Sequence, residues 1–221
     1  VLWQPTTARV RRRVVPGTDA LFDLHERPVR LGLDMVIGLP DTSVSGGRQC
    51  DQLARDLLGW PRSSSVFSPP VRGALGAETF EEAQALQRAG DDDAPGLTVQ
   101  AFHLLGKIRA VHTLMTPAVQ ARVREVHPEL AFYALNGDAP VEASKHDDEG
   151  REARLALLAA HGFPGIAAAV AEHRSSRVKP DDILDAHAAC WTAARLLRGT
   201  AERLPPRPTP APRDAQGLRM E

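Results

Sequence analysis

The sequence predicts an α/β chain, with few strands early and many helices late. Three observations carry that prediction. Residues 28–40 form an apolar run, alternating at first and then continuous, which reads as a buried parallel strand. From residue 48 onward, apolar side chains recur at helical spacing in one segment after another. The chain has 221 residues, 43% of them apolar, which is enough for one packed core and predicts a single domain over 1–221.

The chain opens on Val1-Leu2-Trp3, then a polar turn at 4–7, then a second stretch in which Val10 alternates with arginines. This predicts a hairpin pairing 1–3 with 9–15, lying beside the 28–40 strand. An apolar strand is a poor free end, so a further element upstream is expected in the natural protein. Gly38 and Pro40 close the 28–40 strand, and 48–58 reads as a helix ended by Gly59. After a Ser- and Pro-rich loop over 60–72, residues 77–90 read as a helix with Phe80, Ala83 and Leu86 on one face and Gly90 as its C-cap. Thr98 caps a helix that runs to Met115, and Thr116-Pro117 opens another. Residues 122–127 alternate as a strand that Pro128 ends. Helices are expected over 147–161, 164–172 and 181–197. The alanines at 186, 189, 193 and 194 give the last of them a surface suited to close packing on a sheet. Residues 204–216 are proline-dense and predict an extended surface strap, and 218–221 read as the start of a further strand.

Composition excludes several function classes. Lys plus Arg is 27 against 28 for Asp plus Glu, so no globally basic nucleic-acid surface exists, although a local patch is compatible with this balance. Two cysteines, Cys50 and Cys190, make neither a disulfide-rich scaffold nor a Cys-only zinc site. No run approaches 18 apolar residues, so no membrane span is predicted and a cytoplasmic chain is expected. Asp91-Asp92-Asp93 lacks the alternating ligands and closing glutamate of a calcium loop and reads as solvated.

Three acidic features suggest chemistry. Asp34 interrupts an apolar strand, where an unpaired carboxylate is costly; a metal, a donor or an open strand end would relieve it. Asp182 and Asp185 lie three apart on one face of the last helix, and a divalent cation would remove their repulsion. An exposed acidic first turn is the simpler alternative. Glu125 and His127 project to the same side of a strand and Glu129 follows Pro128. These residues suit metal contact or water activation, or else salt bridges to nearby arginines. The basic candidates for phosphate contact are Arg48, Lys107, Arg109, Lys145 and Arg151, with Ser144 near a helix start.

Taken in order, Gly32-Leu33-Asp34 through Gly38-Leu39-Pro40, Arg48-Gln49-Cys50-Asp51 with Arg55, Ser65-Val66-Phe67, Glu125-Val126-His127-Pro128-Glu129, Lys145 with Gly150-Arg151, and Asp182-Ile183-Leu184-Asp185-Ala186 resemble the DUF429 family. Its members are thought to be nucleases of the ribonuclease-H-like superfamily. The resemblance covers about residues 1–200 and implies a ribonuclease-H-like mixed central β-sheet flanked by helices, its first three strands an antiparallel meander. It implies that Asp34 matches a fourth-strand acid and that Asp182 and Asp185 match a helix pair, all three binding Mg²⁺ or Mn²⁺. Glu125, His127 and Glu129 stand as further catalytic candidates. The family's first-strand acid has no counterpart, so a strand between the hairpin and the Asp34 strand is expected to supply it. The implied activity is two-metal hydrolysis of nucleic-acid phosphodiester bonds. A non-catalytic binding or scaffold protein, and a small-molecule phosphoryl-transfer enzyme, are the alternatives on the same fold.

Overall fold

The computed structural model describes residues 1–89, 91–175 and 178–221. At its start, β1 (Leu2–Gln4) pairs antiparallel with β2 (Arg9–Arg11), Leu2 facing Arg11 and Trp3 facing Val10, in the hairpin that the alternation predicts. Trp3 leaves the hairpin to stack at 4.8 Å on Phe163. A short helix, α1 (Asp19–Phe22), leads to β3 (Leu31–Leu33). Four helices follow, α2 (Gln49–Leu58), α3 (Phe80–Gln87), α4 (Val99–Leu114) and α5 (Pro117–Gln120). They carry the chain to β4 (Val123–Glu125), which pairs parallel with β3 so that Leu33 lies beside Glu125. The remainder is α6 (Pro128–Leu135), α7 (Asp148–Ala160), α8 (Ile166–His173), α9 (Pro180–Arg198) and an extended strap to Glu221.

The expected mixed central sheet flanked by helices, the ribonuclease-H-like architecture, is not what forms. The molecule is 45% helix, and the described residues hold four three-residue strands in two separate two-stranded sheets. The reason lies in the 28–40 run. Val36, Ile37 and Leu39 are buried, as a central strand's side chains would be, but their backbone partners are side chains. Ile37 N–H donates to Glu125 Oε2 at 2.7 Å and Leu39 N–H to Asp214 Oδ2 at 3.2 Å. The carbonyls of Ile37 and Gly38 accept from Arg48 Nη1 at 3.0 and 3.2 Å. With donors and acceptors satisfied in this way, no neighbouring strand is needed and β3 ends at Leu33. The hairpin and β3 line one cavity, and the hairpin and the β3–β4 pair do not form one sheet.

Other elements differ by smaller margins. Thr79 caps α3 by accepting from Glu82 N–H at 3.1 Å, so that helix starts at Phe80; its expected cap Gly90 lies outside the described residues. Thr98 and Thr116 cap α4 and α5 as their positions predict. Pro128 ends β4 and also opens α6, which buries Ala131, Phe132 and Leu135. Pro205, Asp214 and Leu218 of the strap are buried, and its residues Arg213 and Arg219 form an isolated antiparallel bridge. Asp91, Asp92 and Asp93 are exposed.

The largest apolar cluster joins α6, α7, α8 and α9 around Phe132, Leu158, Phe163, Ile166 and Leu184. The small-residue face of α9 packs on β3 so closely that a Cβ on Gly32 would stand 2.5 Å from the Ala189 carbonyl oxygen. This contact brings the start of α9 to the end of β3. Among the described residues no helix is long and apolar enough to cross a membrane.

Candidate functional site

Parallel pairing sends β3 and β4 out in the same direction, so Asp34 and His127 emerge at neighbouring strand ends. Alpha-9 arrives across β3 and brings Asp182 and Asp185. Asp34, Asp182 and Asp185 line one cavity of about 1040 Å³ between the hairpin, β3 and α9. Asp34 is exposed to that cavity, with protein charges and backbone around it. Partial desolvation by these surroundings pushes its carboxyl up to about 6; Asp185 and Glu125 add to the rise, while His127 and Lys145 oppose it. Its carboxylate makes no hydrogen bond among the described residues.

Asp185 accepts from Lys145 Nζ at 3.1 Å. Burial still raises the Asp185 pKa, with Glu129 adding to it and Lys145 and Arg154 opposing. Burial alone would lower the Lys145 pKa, but the charge and hydrogen bond of Asp185 overcome it and the ammonium is held above its ordinary value. Lys145 is delivered by the loop before α7, which fits because residue 150 is glycine: a Cβ there would lie 2.0 Å from the Ser144 carbonyl oxygen. Asp182 caps its own helix, accepting from Lys179 N–H at 2.8 Å.

The remaining acidic candidates are engaged elsewhere. Glu125 is gripped by Arg48, with Oε1 2.6 Å from Nη2 and Oε2 2.8 Å from Nη1, while Arg48 also holds Asp51 at 2.7 Å. Glu129 receives Arg154 Nη2 on both oxygens at 2.9 Å, and both residues are buried. His127 Nε2 lies 3.2 Å from the Ser65 carbonyl, and its buried Nδ1 has no hydrogen-bond partner among the described residues.

Of the five basic candidates, Lys145 contacts one of the cavity's carboxylates, Asp185. Arg48 is buried in its carboxylate network. Arg151 pairs with Asp148 at 2.9 Å. Lys107 and Arg109 are exposed on α4, which does not line the cavity. Among the described residues no three of His, Cys, Asp and Glu gather as a metal-holding group. Burial pushes the Cys50 thiol up to about 12 and Cys190 to about 11, consistent with inert thiols.

Sequence reasoning passed over Asp214 and His187. Asp214 accepts from Leu39, Gln216 and Leu218 N–H; the glycine three residues later, Gly217 at φ +77°, was the available turn signal. His187 is fully buried, accepts from Arg12 Nε at 3.0 Å, and has its pKa lowered to about 4, chiefly by burial. Nothing in its helical context distinguished it from an exposed histidine.

No curated protein and no solved structure matches the chain. A family model does match, over residues 1–210. The chain therefore belongs to DUF429, a family described as protein of unknown function.

Proposed function

We propose that this protein is a divalent-metal-dependent phosphodiesterase acting on nucleic acid, with Asp34 and Asp185 as its first carboxylate ligands. The observation that carries the reading is Asp34 itself: a solvent-reachable carboxylate at a strand end, without a hydrogen-bond partner, raised by confinement and by the charge of Asp185. Two confined carboxylates that repel each other are stabilised by a cation. Mg²⁺ is commonly held by one or two carboxylates, keeping waters and taking phosphate oxygens for its other positions. Asp34 and Asp185 are the carboxylates that would hold such an ion, and Asp182 lines the same cavity. Carboxylate metal ligands are what the family resemblance implies, although the mixed sheet it implies does not form.

An ion held by Asp34 and Asp185 would supply Lewis acidity toward a phosphate oxygen and a water of lowered pKa. Lys145 keeps Asp185 charged and has further N–H donors for a phosphate oxygen. Asp34, open to the cavity, would hold the ion with one carboxylate oxygen and could accept a hydrogen bond from an attacking water on the other. Arg48 and Arg154 hold Glu125 and Glu129 in place and so fix the strand end from which His127 projects.

The test is Mn²⁺ calorimetry on the chain together with a Mg²⁺/Mn²⁺ cleavage screen of DNA and RNA oligonucleotides. Cleavage that chelator abolishes, and that Asp34→Asn and Asp185→Asn each reduce at least a hundredfold, is the expected result. One observation favours a second reading, binding without hydrolysis: Lys145 already neutralises Asp185. Oligonucleotide binding with neither ion affinity nor cleavage would decide for it.

A further inference from the structure

A second cavity, of about 520 Å³, is lined by α2, β4, α6, the last turns of α9 and the strap, and shares no lining residue with the Asp34 cavity. Its volume is that of a small-molecule site. Its lining includes the apolar side chains of Leu57, Val66, Leu130 and Leu204. It is also cationic. Six arginines line the cavity, against three carboxylates (Asp138, Glu202 and Glu221) other than the two that Arg48 holds. Glu221 is set among the arginines: its carboxylate contacts Arg124, lies 3.0 Å from Arg219 Nε and lies 3.7 Å from Arg203 Nη1. One carboxylate does not satisfy that cluster. Among the described residues Arg203 Nη1 and Arg219 Nε are buried and make no hydrogen bond of good geometry, their one anionic neighbour being the Glu221 carboxylate that they share with Arg124. Burial lowers the Arg124 pKa; Glu221 opposes this, and Arg219, Arg30 and Arg207 lower it further.

We propose that this cavity binds an organic anion. Its anionic group would lie on Arg124, Arg203 and Arg219 and its apolar body on Leu57, Val66, Leu130 and Leu204. Glu221 holds the anion's position until the ligand displaces it. A guanidinium cluster with surplus charge and unused donors recognises phosphate or carboxylate, both of which match the arginine fork. Apolar side chains in the same cavity reward a ligand that carries a body as well as a charge. The proposal does not depend on the phosphodiesterase reading, since it uses neither Asp34 nor Asp185.

The experiment is calorimetric titration of the chain with 1-naphthyl phosphate, 1-naphthoate and inorganic phosphate at neutral pH and low salt. At least one aromatic anion is expected to bind ten times more tightly than inorganic phosphate, and the tighter of the two identifies the anionic group. Glu221→Gln keeps the side chain's shape and removes its charge, and is expected to tighten that ligand about fivefold. Arg203→Gln is expected to weaken it about tenfold. Leu57→Glu, a change at a half-exposed position that the fold tolerates, is expected to abolish binding with an unchanged thermal melt. Asp34→Asn is expected to leave binding unchanged even if it ends catalysis. Aromatic anions that bind no better than inorganic phosphate, or a Glu221→Gln variant with unaltered affinity, would overturn the proposal.

Discussion

Asp34 and the Glu129–Arg154 pair are opposite solutions to a carboxylate among protein atoms. Asp34 keeps an open side and no partner, and its pKa rises to about 6. An acid whose folded pKa lies above its unfolded one binds protons more readily when folded. Its contribution to stability is therefore lost as pH rises from about 4 to about 6 and is constant above that. Asp34→Asn should be more stable than the parent at pH 7 and equal to it at pH 3. A sealed carboxyl with this shift would give about 3 kcal/mol, but solvent access on the open side reduces the expected gain to about 1 kcal/mol. Urea melts at pH 3, 4, 5, 6 and 7 measure this, and a stability gap that does not widen between pH 4 and 6 would refute it. Glu129 and Arg154 are sealed and bidentate. Glu129→Ala leaves an unpaired guanidinium in the core and should cost about 3–5 kcal/mol, whereas Glu129→Leu with Arg154→Met should recover most of that loss. Asp34 was legible as an acid interrupting an apolar strand, and Glu125 and Glu129 as acids on either side of Pro128, which ends a strand; the helix that Pro128 opens was not expected. Which of them would be tied down was not legible, because Arg48 and Arg154 reach them from elements 77 and 25 positions away in the chain.

At the level of elements, helices were the more readable. Caps at Thr98 and Thr116 and the run of alanines in α9 are local signals, and local chemistry realised them. The 28–40 run was not readable in the same way, because burial pattern is the same for a central strand and for a buried loop. What separates them is where the backbone hydrogen bonds go. Here they go to Glu125, Arg48 and Asp214, side chains from three other parts of the chain. Gly32 tests how tightly β3 is set against α9. A methyl group at this position meets the Ala189 carbonyl oxygen at 2.5 Å, and that oxygen cannot rotate away. Gly32→Ala should therefore push α9 from β3, cost about 1–3 kcal/mol in a urea melt, and weaken Mn²⁺ binding by separating Asp34 from Asp185. A destabilised variant with full ion affinity would show that the β3–α9 seam does not set the carboxylate spacing.

At the level of the whole molecule, the strap is what connects distant parts. It was expected as an extended proline-dense surface segment, and its composition sets that geometry. Composition does not indicate that the strap's end is anchored in the interior. Leu218 is fully buried in the cluster that holds Leu33, Ile37 and Val123, beneath both strands of the parallel pair. Asp214 is the anchor: Oδ1 accepts from Gln216 and Leu218 N–H at 2.9 Å, and Oδ2 accepts from Leu39 N–H at 3.2 Å with Arg72 Nη2 3.3 Å away. One carboxylate thus closes the strap's turn and supplies a hydrogen bond to the 34–40 loop that an adjacent strand would otherwise provide. Asp214→Ala removes the side-chain acceptor of three backbone N–H groups at once and leaves Leu39 N–H buried without a partner, a loss of about 2–4 kcal/mol. The damage should not stay local. With the turn opened, Leu218 leaves its cluster, the 34–40 loop loses a restraint, and Glu221 moves out of the arginine cluster. Limited proteolysis should then cut within residues 199–213 in the variant and spare the parent, and hydrogen exchange should show lost protection at Leu39 and Ile37. A variant with an unchanged melt and an uncut strap would mean that Leu218 burial alone holds the segment, and that the loop's geometry rests on Glu125 and Arg48 without help from the strap.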